Sequence, residues 1–325
     1  MNLPRLALTL ALSLAGAFAL DRLCAVRGLL PPGFRVPWRR LLASLVVAAL
    51  LGVGVFAPLA SLGLSLEPDL SQISTPQLFL LHALMVATLG IWFLLGFAGE
   101  AGRPAPPPVI EPIPIEPIAA APEWAGDGLD AVPALVDPPS PPAPPRISLG
   151  RQFAMQFGFI PRTSVSREIG LGVLLGIGAW VAVLLALMVV AGVLWAAGGE
   201  SAVPKSPPAL VPFIAALPLW VRFLVSLSAG VVEETFFRGF LQPRVGIALS
   251  TAFFAIAHLS YGQWFMLIGI TLLSLIYGFL VKWRQNLWSA IAAHALFDGV
   301  QLLVVVPAAL KMLQGTGGKL AAFLW

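Results

Sequence analysis

Apolar stretches of about 17 to 25 residues, the length that crosses a hydrocarbon core as helix, recur along the chain between short polar or Pro-containing breaks. The pattern predicts eight membrane helices, at about 4–20, 41–65, 78–97, 169–197, 209–232, 246–260, 263–281 and 286–306. The sixth is short enough to lie tilted or partly sunk in the bundle. Between the third and fourth runs, residues 98–150 hold half of the chain's 30 prolines, together with Glu111, Glu116, Glu123, Asp127, Asp130 and Asp137. Proline at that density favours extended polyproline II, so this stretch reads as an exposed acidic linker on the cytoplasmic side. A flexible spacer is the simpler reading of it; a docking segment for a Pro-recognising protein partner is the competing one. The expected fold class is all-α, a polytopic helical membrane protein. Its expected organisation is a three-helix membrane region (1–97), the linker (98–150), a membrane core (151–306) and a short tail (307–325), with no internal repeat.

Composition agrees with the pattern. The 325 residues are 58% hydrophobic and 10% charged, with a mean hydropathy of +0.92, whereas soluble domains are about a quarter charged. A net charge of +4 would admit a nucleic-acid partner, but the basic residues form no cluster interleaved with aromatics that could follow a phosphate backbone. They mark topology instead. With the N-terminus outside, most of the 19 basic residues, from Arg22, Arg27, Arg35, Arg39 and Arg40 to Arg244, Lys282 and Arg284, fall inside; Arg5, Lys205, Lys311 and Lys319 fall outside. Eight spans with both ends outside satisfy this rule. The first run has some features of a signal peptide, Arg5 preceding an apolar stretch that ends in Ala15-Gly16-Ala17-Phe18-Ala19. Cleavage there would leave the Arg-rich segment 21–40 outside, so a retained helix is expected. The single cysteine, Cys24, excludes an internal disulfide and a cysteine-based metal site.

Ionisable side chains at membrane depth cost several kcal/mol each, and those that persist usually face a polar cavity and serve a purpose. Three groups stand out: Glu233-Glu234-Thr235-Phe236-Phe237-Arg238-Gly239 near the end of the fifth helix, Phe254 and His258 on the sixth, and His294 and Asp298 on the eighth. On a helix Glu234 and Arg238 share a face while Glu233 is turned about 100° away, so one carboxylate is neutralised and the other is free to act. A carboxylate taken out of water next to an imidazole suits general acid/base work. The third histidine, His82 in Leu80-Leu81-His82-Ala83-Leu84, reads as a helix-end or packed histidine and is assigned no role.

The ordered trio Glu-Glu-x-x-x-Arg, Phe-x-x-x-His and His-x-x-x-Asp resembles the CPBP family, which includes Rce1-like type II CAAX prenyl endopeptidases and the bacterial Abi or CAAX-like proteases. The resemblance spans roughly residues 165–306. It implies that Glu233 is the catalytic glutamate, that His258 helps it activate a water, and that Glu234 and Arg238 form a supporting ion pair, with Phe254 completing the second motif. It also implies that His294 and Asp298 steady a developing oxyanion or, in a metalloprotease, join Glu233 and His258 around a divalent metal such as zinc. The metal-free and metal mechanisms use the same groups, and no local His-Glu-x-x-His motif separates them. The eukaryotic pattern has asparagine where this chain has Asp298; an ionised aspartate cannot donate to an oxyanion, so it must be protonated, orient His294 or bind a cation.

The resulting expectation is an intramembrane endopeptidase of a bacterial cytoplasmic (inner) membrane. Helices five, six and eight would converge on a cavity opening toward the cytoplasm, where an activated water hydrolyses a membrane-embedded or membrane-delivered peptide. Lipid and the substrate are the expected partners. The competing reading is a non-proteolytic membrane scaffold or regulator of the bacteriocin self-protection type; a proton-relaying transporter is a third, disfavoured by the absence of inverted repeats.

Overall fold

The computed structural model describes residues 3–60, 74–99, 147–199, 210–259 and 264–315, and all regular structure among them is helical. Most of the expected linker (100–146) and the end of the expected tail (316–325) lie outside the described residues. The main helices are α1 (Leu3–Val26), α2 (Pro37–Leu51), α3 (Leu80–Phe97), α4 (Leu149–Phe157), α5 (Val165–Gly198), α6 (Leu219–Ser228), α7 (Gln242–Ala257), α8 (Trp264–Arg284), α9 (Trp288–Val300) and α10 (Val306–Gly315). Among the described residues, seven runs are long and apolar enough to cross a membrane, against the eight expected, because Leu219–Ala257 is one helical run of 39 residues. The protein is a multi-pass, all-α membrane protein.

That long run is not one rod. Straight, it would reach about 58 Å, nearly twice the ~30 Å hydrocarbon thickness. Gly246 breaks it, with φ 85° and ψ 172°, a conformation open in practice only to glycine. The Ser250 hydroxyl then donates to the Phe237 carbonyl at 2.8 Å, although the two residues are 13 positions apart and would sit ~20 Å apart along a straight helix. The chain therefore doubles back at Gly246, and the predicted fifth and sixth helices are its two arms. The fifth begins later than expected. Pro218 caps α6, separating it from a short helix at Leu210–Ala216, and the helical path continues past residue 232 through two wide turns, Ala229–Glu233 and Thr235–Leu241.

α5 and the first wide turn press on α9 through glycines. A Cβ on Gly176 would lie 2.9 Å from the Cα of Ala293, and one on Gly230 would lie 2.8 Å from the Ile291 carbonyl oxygen. In lipid, where apolar burial between helices gives little net drive, such close backbone approach is a main source of association. The start of α5 is tied down by Glu168, whose carboxylate accepts from Arg284 at 2.6 and 2.9 Å, from Ser289 at 2.7 Å and from Thr163 at 2.7 Å. Outward-facing Leu174, Leu185 and Val189 are more than half exposed, as a lipid-facing surface requires.

The N-terminal helices share a core with the rest. Trp92 of α3 packs edge-on against Phe34, Phe157 and Phe240, and the Arg244 guanidinium lies 4.7 Å over Trp92 and 4.1 Å over Phe240. Arg27 donates to the Arg244 carbonyl at 2.7 Å. One continuous hydrophobic cluster runs from Ala17 and Leu51 through Phe93 to Phe236, Phe237 and Phe254. This seats α3 against the wide-turn segment that carries the glutamates.

Candidate active site

The wide turns set the geometry. Five-residue hydrogen-bond spacing replaces the usual four across Ala229–Glu233 and again across Thr235–Leu241, and single turns of this kind are rare and concentrate at functional sites. Glu233 and Glu234 leave the helix in different directions. The Glu234 carboxylate is fully buried; its Oε1 accepts from Arg238 Nη1 at 2.9 Å and pairs with His294 Nδ1 at 2.8 Å. The guanidinium is held in turn by the Ser274 carbonyl at 3.1 Å and hydroxyl at 3.0 Å, and it lies 4.5 Å over the Phe254 ring. A buried charge is tolerable only when paired and hydrogen-bonded in this way.

Glu233 faces the other side. Its Oε1 is 3.2 Å from His82 Nε2, and its buried Oε2 stands 3.9 Å from His258 Nε2 with no hydrogen-bond partner among the described residues. His258 is oriented by its own helix: Nδ1–H donates to the Phe254 carbonyl at 2.7 Å, which places the lone pair of a neutral ring on Nε2, toward Glu233. Phe254 lies between the two imidazoles, 4.5 Å from the His258 ring and 6.0 Å from that of His294. Tyr277 stacks on His294 at 5.2 Å. Asp298, one turn further along α9, approaches His294 Nε2 at 3.5 Å.

The structure thus brings together Glu233, Glu234, Arg238, Phe254, His258, His294 and Asp298. One expectation needs correction. His82 is no bystander, since both of its ring nitrogens bond within the site, Nδ1 to Ser228 Oγ at 3.0 Å and Nε2 to Glu233. Its signal was present in the sequence as an imidazole in an apolar helix; what was hidden was that α3 packs on the wide turn Ala229–Glu233 that follows α6. The four side chains named as possible metal ligands, Glu233, His258, His294 and Asp298, lie in two groups, Glu233 with His258 and His294 with Asp298. Both nitrogens of His294 are taken by the carboxylates of Glu234 and Asp298, and among the described residues no three His, Cys, Asp or Glu side chains converge on a point that would hold a metal ion.

Comparison with known proteins covers the same segment. The family model described as type II CAAX prenyl endopeptidase Rce1-like matches residues 215–300, a stretch that contains every residue of the site except His82. A segment of 91 residues, 28% of this chain, is 32% identical to the uncharacterized protein YpbD of Bacillus subtilis (strain 168). The matched segment spans 44% of that relative's own length. No solved structure matches the chain. The match to an Rce1-like domain over residues 215–300 supports the CPBP resemblance carried by the paired glutamates and the two helix-borne histidines.

Proposed function

We propose that the protein is an intramembrane endopeptidase in which Glu233 and His258 activate a water for attack on a peptide carbonyl. The observation that carries this reading is the approach of His258 Nε2 to within 3.9 Å of Glu233 Oε2, a buried oxygen with no hydrogen-bond partner among the described residues. That separation exceeds a direct hydrogen bond and suits a bridging water. Both atoms are acceptors when Glu233 is ionised and His258 neutral, so they hold the water by its two hydrogens and leave an oxygen lone pair for the substrate. The water oxygen bonds to the carbonyl carbon as Glu233 takes its proton. The C–N bond then breaks as Glu233 passes that proton to the leaving nitrogen, giving a new carboxyl and a new amine and restoring the glutamate.

His294 and Asp298 take the supporting part. Held between Glu234 and Asp298, the His294 ring presents a fixed positive edge toward the reacting region, and Asp298 orients it, which is the choice among its three possible roles that a 3.5 Å approach to Nε2 favours. Glu234, itself bound by Arg238, fixes the ring at Nδ1. The substrates are membrane-embedded or membrane-delivered peptides, and the setting is a bacterial cytoplasmic membrane, in keeping with the Ala, Gly, Pro and Leu bias and with the Bacillus relative.

Cleavage of membrane-presented peptides by purified protein in lipid, wild type beside Glu233→Gln, tests this directly. Loss of cleavage with the variant supports the hydrolase; absence of cleavage by both moves the weight to a membrane scaffold.

A further inference from the structure

We infer that His82, on α3 and outside the Rce1-like segment, is the positioning residue for Glu233: it grips Oε1, shares one proton with it, and thereby holds Oε2 toward His258. This rests on the hydrolytic reading above and adds to it a requirement for the N-terminal helices.

Hydrogen-bond accounting gives the protonation pattern. Ser228 donates its only hydroxyl hydrogen to the Val225 carbonyl at 3.0 Å, so toward His82 Nδ1 it accepts, and Nδ1 carries a hydrogen. A single proton then lies between His82 Nε2 and Glu233 Oε1 at 3.2 Å. Either the imidazolium faces the carboxylate or the neutral ring faces the carboxylic acid. In the first form Glu233 is the base: its Oε2 takes the water's proton and later passes it to the leaving nitrogen, while the imidazolium keeps its own proton on Nε2 and goes on donating to Oε1. His82 thus bonds to Glu233 in both halves of the cycle.

The backbone is built for this contact. Ser228 and Glu233 are five residues apart. In a regular α-helix they would diverge by about 140°, too far for one imidazole to bridge. The wide turn Ala229–Glu233, whose hydrogen bonds close at that same spacing of five, brings the two side chains onto one face. The opposite anchor is equally fixed, because α3 buries Met85, Leu89, Trp92 and Phe93 within one to three turns of His82. Only 14% of the His82 side chain and 15% of that of Glu233 are exposed, so the pair works with little competition from solvent.

The test is steady-state kinetics in lipid on full-length wild type, Glu233→Gln, His82→Leu and His82→Gln. His82→Leu is expected to lower kcat ~100-fold with KM unchanged, as misplacement of a reacting group does. His82→Gln, whose amide N–H can reach Oε1, is expected to recover at least ten of that ~100-fold. Wild-type kcat in His82→Leu, or a rise confined to KM, would overturn the assignment while leaving the hydrolase intact. So would a glutamine variant no better than leucine. A wild-type protein without activity would instead overturn the hydrolytic reading on which the assignment rests.

Discussion

Glu233 and Glu234 are neighbours in the chain, yet one bonds to His82 and faces His258 while the other is locked between Arg238 and His294. Two identical side chains are thereby given different work by the direction in which a wide helical turn sends them. The division rests on surroundings, since Glu234 Oε1 is bound by the Arg238 guanidinium and His294, whereas, among the described residues, Glu233 meets no guanidinium but two imidazoles, His82 at Oε1 and His258 beyond Oε2.

The two glutamates should fail differently when altered. Glu234→Ala strands Arg238, which is 2% exposed, without its counter-charge. Breaking a buried ion pair from one side costs about 3–5 kcal/mol, so this variant is expected to lose most of its folded yield. Glu233→Gln keeps a polar group against His82 and is expected to unfold like the wild type. Thermal unfolding in matched detergent or nanodiscs compares them; equal stability of the Glu234→Ala and Glu233→Gln proteins would contradict the assigned roles.

Gly230 controls how closely α9 approaches the glutamates. A Cβ there would stand 2.8 Å from both the Ile291 carbonyl oxygen and the Ala295 Cβ, one residue from His294. Gly230→Val is expected to push α9 outward and lower kcat by ~100-fold, because a displacement of about 1 Å is enough for that. Gly90→Ala on α3 meets nothing within 4 Å and is expected to leave activity unchanged. Kinetics on the two variants distinguish tight packing at the site from a general intolerance of added methyl groups.

Asp298 approaches the ring of His294 from its Nε2 side, and an acceptor is all that this position requires. Asp298→Asn, which keeps an oxygen there, is expected to retain most of its activity. Asp298→Leu removes the partner and is expected to lose about 10–100-fold in kcat through a misplaced imidazole. A large loss in the asparagine variant would show that the negative charge itself is needed.

Much of this was legible in the sequence. Runs of apolar residues gave the helices, because in lipid the backbone must satisfy itself and helix is the simplest way to do so. Ionisable residues inside those runs marked Glu233, Glu234, Arg238, His258 and His294, because charge at that depth is costly. The boundaries of the fifth helix were not legible: Pro218 could be read, but five-residue turns leave no periodicity that a period of 3.6 would reveal. Gly246 is one of 31 glycines, and only its backbone angles distinguish it. Glu168 looks like an ordinary acid in the first turn of a helix until Arg284, Ser289 and Thr163 are seen around it. His82 and Glu233 are 151 residues apart, and their meeting depends on how α3 packs, which single-helix patterns do not contain.

The central claim is that Glu233 and His258 together activate water. Its most direct test is the rate of cleavage of a membrane-presented peptide library in lipid by wild type, Glu233→Gln and His258→Ala, with metal content and helicity measured on the same samples. The account predicts wild-type cleavage that falls at least ~100-fold in each variant while helicity is unchanged. A Glu233→Gln protein that cleaves at the wild-type rate would contradict it.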